Sequence, residues 1–227
     1  MRPALSDLSV VIPTLNAAAV LAETLDHLPE VGQRVVVDGG STDATVDLAR
    51  AAGAEVVRAE AGRGRQLATG AAAARGPWLL FLHADTRLDA EAWAALRDYI
   101  AGPDASARAA VFGFRLDDAA WQARLLEVGV AVRVGVLALP YGDQGLLIHR
   151  TLYDTLGGYA PLPLMEDVDL VRRLGRSRLR VLPGHARTSA ERWRRRGWAR
   201  QSLKNLKCLA LYLAGVSPQK IAVIYGR

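Results

Sequence analysis

Cysteine is almost missing from this sequence. Cys208 stands alone among 227 residues, so no internal disulfide can form and a disulfide-stapled secreted scaffold is excluded. Lysine is scarce as well: Lys204, Lys207 and Lys220 are the whole supply, and arginine carries nearly all of the positive charge. No run of about 18 apolar residues occurs, which leaves no candidate for a membrane-spanning helix. The N-terminal "MRPALSDLSVVIP" has no uninterrupted apolar stretch of leader length, because Asp7 breaks it and Pro13 ends it. A cytoplasmic protein is therefore expected. Repeats, low-complexity tracts and linker-like segments are also lacking, so a single domain over residues 1–227 is expected.

What is present suits a sizeable core, with 51% hydrophobic residues and abundant Ala, Val, Leu and Gly. Short apolar runs end in polar or glycine-rich tips at "LSVVIPTLN" (8–16), "RVVVDGG" (34–40), "AEVVRA" (54–59) and "PWLLFLHADT" (77–86). Between and after them, helical spacing is seen over 17–28, 43–53, 62–76 and 89–101. This alternation predicts an α/β fold with a mostly parallel central sheet wrapped by helices. The second half is less regular. It offers a strand at 109–116, a long apolar helix at 119–139 marked by Arg124, Glu127 and Arg133, a glycine-bounded "YGDQGLLIHR" (141–150) and a helix within 161–175. An amphipathic stretch, 198–225, closes the chain.

The net charge of +6 is concentrated in residues 172–200, which hold eleven arginines and one acid, Glu191. Such a face attracts phosphate groups or anionic lipid. Beside the alanine richness the arginine skew is also what codon bias produces, and no nucleic-acid partner is expected. With the apolar "LKNLKCLALYLAG" (203–215), the basic region is compatible with peripheral contact at the inner face of a membrane.

In open parallel sheets, ligands bind beyond the carboxyl ends of the strands. Three such ends here are polar: Pro13-Thr14, Asp38 and His83-Ala84-Asp85. Asp38 stands where a ligand's N–H or hydroxyl could donate to it, and Gly39-Gly40 allow close approach to the backbone. Ser41, Thr42 and Asp43 are accounted for by helix capping alone. Asp85 suits a hard divalent cation, which prefers carboxylate oxygen; a helix cap is the plainer alternative, and His83 is either an additional ligand or a structural residue. "GRGRQLATG" (62–70) fits neither nucleotide-binding glycine fingerprint, though Arg65, and less so Arg63, could meet phosphate oxygens. Glu166 and Asp167 open a helix, where negative charge is favoured and a general base could be held. Asp143 and Gln144 stand between glycines, where a flexible backbone can bring both side chains into a cleft; a solvated turn is the plain alternative.

"SVVIPTLNAAAVLAETLDHL", "VVVDGGSTDAT", "GRGRQLATGAAAARGPWLLFLHADT", "YGDQG" and "MEDVDL" occur in this order. As a set they resemble the family 2 glycosyltransferases of the nucleotide-diphospho-sugar transferase (GT-A type) fold. The likeness is greatest to the small bacterial branch with a His-Ala-Asp-Thr metal motif, and it covers roughly residues 8–200. The resemblance implies a nucleotide-binding half (1–101), an acceptor and catalytic-base half (102–200) and an amphipathic tail (201–227). It implies that Pro13, Thr14, Asp38, Gly39, Arg65 and His83 hold the nucleotide, with Asp38 on the base. Asp85 would ligate Mn²⁺ or Mg²⁺, and Asp167, beside Glu166, would be the catalytic base. Asp143, Gln144, Arg192 and Trp193 would face acceptor or sugar.

The implied reaction moves one sugar, with inversion, from a UDP- or GDP-sugar to an acceptor hydroxyl, and a lipid-linked acceptor is compatible with the apolar segments. Three departures from the family's pattern stand out. His83 replaces the first acid of the usual Asp-x-Asp, Ala68 replaces an asparagine, and "SAERW" (189–193) lacks the glutamine of processive members. A non-processive enzyme is therefore expected. Two alternatives stay open: a sugar-phosphate nucleotidyltransferase, against which the missing N-terminal glycine-and-lysine signature speaks, and a non-catalytic module for anionic membrane surfaces.

Overall fold

The structure, a computed structural model, describes residues 5–226; Met1–Ala4, the start of the segment read above for a leader, and Arg227 lie outside the described residues. Its strands are β1 (Leu8–Thr14), β2 (Gln33–Asp38), β3 (Glu55–Arg58), β4 (Trp78–Phe81), β5 (Thr86–Leu88), β6 (Ala109–Leu116), β7 (Leu146–His149) and β8 (Leu179–Thr188). They form one sheet in the order β3-β2-β1-β4-β7-β6-β8-β5. The helices are α1 (Ala18–Asp26), α2 (Thr45–Ala51), α3 (Arg63–Ala73), α4 (Ala90–Ile100), α5 (Trp121–Leu137), α6 (Arg150–Thr155), α7 (Glu166–Leu174), α8 (Glu191–Arg196), α9 (Trp198–Leu213) and α10 (Pro218–Tyr225). The expected architecture, a mostly parallel sheet flanked by helices, is the observed one. β7 pairs antiparallel with β4 and β6, and β5 antiparallel with β8; the other pairings are parallel.

Successive side chains of a strand point to opposite faces, and the core divides accordingly. Val11, Val35, Val37, Leu79 and Phe81 face α3, α7 and α9, whereas Val10, Ile12, Val36, Leu80 and Leu82 face α1 and α4. The glycines of "GRGRQLATG" serve close packing. A side-chain carbon on Gly70 would lie 2.3 Å from Val11 Cγ1, and one on Gly64 would lie 2.3 Å from the Ala160 carbonyl oxygen. Those two contacts seat α3 on the sheet and against the loop that leads into α7.

β8 is a ten-residue strand that the sequence hides. Pro183 and Gly184 interrupt it, and a proline inside an apolar run reads as a break. The register with β6 jumps from Phe112–Leu182 to Gly113–His185, so both residues fall in a bulge that takes them out of the hydrogen-bonding ladder. The tail also differs from a single amphipathic helix, since Gly197 (φ 84°) and Gly215 (φ 85°) turn the chain between α8, α9 and α10. Among the described residues, no helix is long and apolar enough to cross a membrane.

Candidate active site

One cavity gathers the acids that were far apart in sequence. Asp85 reaches it from the turn after β4, Asp143 from the loop before β7, and Glu166 and Asp167 from the first turn of α7. Asp85 is not a helix cap. Asp89 caps α4 instead, accepting from the Ala92 N–H at 2.9 Å. The Asp85 turn is held by backbone bonds, Thr86 N–H to the His83 carbonyl (3.1 Å) and Ser189 N–H to the Asp85 carbonyl (3.2 Å). That leaves the Asp85 side chain available to the cavity.

Asp167 is oriented from two sides: Oδ2 accepts from the Gly142 N–H at 2.8 Å and Oδ1 from the Val168 N–H at 2.7 Å. Gly142 has to be glycine, because a side-chain carbon there would lie 2.6 Å from His83 Nε2. His83 thus wedges against the loop that positions the Asp167 carboxylate. Glu166 is fully buried and pairs with Arg63 at 3.5 Å. Met165, just before it, holds a left-handed backbone (φ 66°), a strained conformation for a non-glycine residue.

Of the two arginines of α3's first turn, Arg63 and not Arg65 lines this cavity. Arg65 is half exposed and pairs with the exposed Glu60. Burial opposes the charge of Arg63, yet the Glu166, Asp167 and Asp85 carboxylates outweigh that penalty and raise its pKa. Asp143 responds in the opposite sense. Burial in a cavity shared with Asp167 and Asp85, only partly offset by Arg133 and Arg192, pushes its carboxyl up to about 6. Its Oδ1 makes no hydrogen bond.

Between about pH 4 and 6 the native state therefore holds a proton at Asp143 that the unfolded chain, with an ordinary aspartate, has lost. Stability from this group falls as pH rises through that window and is flat above it. In the presence of a chelator, Asp143→Asn is expected to raise the melting temperature by a few degrees at pH 8 and not at pH 4. Paired thermal melts check this, and an equal shift at both pH values would refute it.

Arg192 and Trp193 of α8 also line the cavity. Gln144 does not: it is buried, and its Nε2 donates to the Phe112 carbonyl at 2.9 Å, so its role is to tie the loop to β6. His185 is turned away as well, with Nδ1 3.3 Å from Asp89. Pro13, Thr14, Asp38 and Gly39 lie at the carboxyl ends of β1 and β2, beside this cavity in the sheet order and outside its lining. Asp38 is buried, and its carboxylate accepts from Gly40 N–H (3.0 Å) and Ser41 N–H (3.1 Å). Gln66 joins the two strand ends, donating to the Thr14 and Val37 carbonyls at 2.7 and 2.8 Å. Ala17 and Ala44 hold the cap positions of α1 and α2 rather than Ser41, Thr42 or Asp43, and Asp43 accepts from the Ala18 and Thr45 N–H groups.

Some lining residues were not among the expected site residues. Tyr141 packs under the Arg133 guanidinium at 3.5 Å, and Thr188 Oγ1 donates to the Asp143 carbonyl at 3.2 Å. Asn205, Cys208 and Tyr225 come from α9 and α10, so the C-terminal helices form a wall of the cavity rather than an appendage. Nothing in their local sequence marks them.

The donor set is one of hard oxygens, as Mn²⁺ or Mg²⁺ prefers. Among the described residues no three His, Cys, Asp or Glu side chains converge closely enough to cage an ion. A cation here would take much of its shell from a bound ligand. The buried, unsatisfied Asp143 Oδ1 beside Asp85 is consistent with that.

The sheet order and this cavity belong to a GT-A fold, and the sequence agrees: residues 9–155 match the family model for glycosyl transferase family 2. The chain belongs to that family. It is 32% identical over 194 residues to the succinoglycan biosynthesis protein ExoU of Rhizobium meliloti, covering 74% of this chain and 56% of that one. It is 38% identical over 91 residues to a PGL/p-HBAD biosynthesis glycosyltransferase of Mycobacterium bovis, covering 35% of this chain and 36% of the relative. The alignments thus span about a third to just over half of these relatives' length. Glucosyl-3-phosphoglycerate synthase from Mycobacterium tuberculosis, solved with Mn²⁺, UDP-glucose and phosphoglyceric acid, superposes with a TM-score of 0.54 at 25% identity over 77% of this chain and 68% of that one.

Proposed function

We propose that this chain transfers a single sugar from a UDP- or GDP-sugar to an acceptor hydroxyl, with inversion and with the help of a divalent cation. The observation that carries the proposal is the convergence of Asp85 and Asp167, 82 positions apart in the chain, on one cavity that also holds Arg63. Residues 1–101 supply the donor side and residues 102–200 the acceptor side, with the C-terminal helices closing the wall.

Pro13, Thr14 and Asp38 run along the strand ends next to the cavity and hold the nucleoside, with Asp38 accepting from the base. Arg63 and Arg192 offer positive charge to the diphosphate. Asp85, with Asp143 nearby, would hold Mn²⁺ or Mg²⁺, and such an ion would supply positive charge to stabilise a departing diphosphate. Asp167, fixed by two backbone N–H groups, takes the proton from the acceptor hydroxyl. A base on the acceptor side fits a one-step displacement with inversion. The relative solved with Mn²⁺ and UDP-glucose supports the donor and metal assignments.

Thermal-shift and calorimetric titrations with UDP and GDP, with and without Mn²⁺, test the proposal. One nucleoside diphosphate is expected to bind at least ~10-fold more tightly with Mn²⁺ and to raise the melting temperature, because a ligand of the native state stabilises it. Asp85→Ala is expected to remove the metal dependence. No binding of either nucleotide under any metal condition would end the proposal.

A further inference from the structure

Helix α5 is apolar on both sides: Ala123, Val130 and Val134 pack inward in one cluster with Phe114, Leu116 and Trp193. Each of its exposed residues is apolar: Trp121, Leu125, Val128, Gly129, Ala131, Val132, Gly135, Val136 and Leu137. The large ones are 52–70% exposed and recur at spacings of three and four, which makes one continuous stripe. Its polar residues point the other way. Glu127 is buried, accepts from the Leu116 N–H at 2.8 Å and pairs with Arg124 at 2.9 Å; Arg133 donates to the Leu139 carbonyl at 2.9 Å. A helix that spends its charged side chains on inward hydrogen bonds and leaves an outward face of apolar residues alone is made to be covered by something apolar.

Its surroundings say what. Arginines flank both ends. At the C-terminal end the exposed Arg176 donates to the Gly135 and Val136 carbonyls, both at 2.9 Å. At the N-terminal end stands the exposed run Arg194–Arg196, tied to the segment before α5 by the Arg194–Asp118 pair. The stripe is about 25 Å long, from 17 residues at 1.5 Å each. A second copy of this chain laid on the stripe, parallel or antiparallel, would bring arginine cluster against arginine cluster. An anionic lipid surface does not have that problem. It meets the arginines with opposite charge and accepts the apolar stripe into its interfacial zone.

We infer that α5 is a membrane-docking helix, seated apolar face down on an anionic bilayer and flanked by Arg176 and Arg194–Arg196. Arg133, on the inner side of the same helix, stacks on Tyr141 of the candidate active site, so docking places that cavity next to the lipid surface. An acceptor presented from the bilayer follows, and that consequence alone rests on the transfer reading above.

Co-sedimentation with vesicles tests the inference. The protein is expected to bind phosphatidylcholine–phosphatidylglycerol vesicles at least ~10-fold more tightly than pure phosphatidylcholine, and more weakly at high salt. Leu125→Ser/Val128→Ser/Val132→Ser should lower vesicle binding ~10-fold or more while leaving the melting temperature and UDP affinity unchanged. The vesicle-induced change in tryptophan emission should vanish in Trp121→Phe. No binding to the anionic vesicles overturns the inference, as does a dimer in sedimentation that the triple serine variant dissociates and that ignores vesicles. UDP affinity is read separately, so vesicle binding without nucleotide binding would sink the transferase proposal and leave the docking helix standing.

Discussion

Asp167→Asn is expected to lower the rate of sugar transfer roughly 100- to 10,000-fold, the usual contribution of a positioned general base, while changing donor affinity little. The carboxamide keeps the shape of the carboxylate and loses the ability to take a proton. It also has one oxygen where the native group has two, so it cannot accept from both the Gly142 and Val168 N–H groups. A modest loss of stability, about 1 kcal/mol, should accompany the loss of rate. The two effects are separable, since an interaction made only in the transition state lowers kcat and leaves the donor KM in place. The rival base is Asp143, whose carboxyl is pushed up to about 6 and so suits proton transfer near neutral pH. Steady-state kinetics of both asparagine variants decide between them. If Asp167→Asn keeps a kcat within tenfold of the parent while Asp143→Asn does not, the base has to be reassigned.

How much of this was legible in the letters depends on distance along the chain. Each of the first three strands is a short apolar run followed by a helix, and that local alternation is enough to predict parallel neighbours; the three-residue β5 between β4 and α4 was not readable. The slotting of β7 beside β4, and of β8 between β6 and β5, rests on pairings between residues tens of positions apart that no local pattern encodes. Of the cavity's lining, Asp85 and Asp167 stood out in the sequence because each sits at a place with its own signature, a strand tip and a helix start. Arg63 was not. It and Arg65 are two residues apart on α3 and look alike, and the orientation is decided by Gly64 packing on the backbone of residues 160–162. The outward face of α5 was equally hidden. A helix apolar on nearly every side gives no direction, and only the inward bonds of Arg124, Glu127 and Arg133 settle it.

Arg63→Ala is expected to destabilise the protein by about 3 kcal/mol, because it removes the cation 3.5 Å from a fully buried carboxylate, Glu166. For a chain of this length that is a fall of roughly 6–12 °C in melting temperature. The pH dependence follows from the sign of the arginine's shift. A pKa raised above an already high value means that the arginine's own contribution is complete at every pH below the ordinary arginine range, so its ionisation adds no pH dependence between pH 6 and pH 9. Adding Glu166→Gln to Arg63→Ala should restore part of the stability, since a neutral amide needs no cation, and the double-mutant cycle measures the coupling directly. Donor affinity separates the structural role from the functional one. The double variant still lacks the charge offered to the diphosphate, so its nucleotide affinity should stay weak even as its melting temperature recovers. An Arg63→Ala protein melting within two or three degrees of the parent, with unchanged nucleotide affinity, would remove Arg63 from both roles.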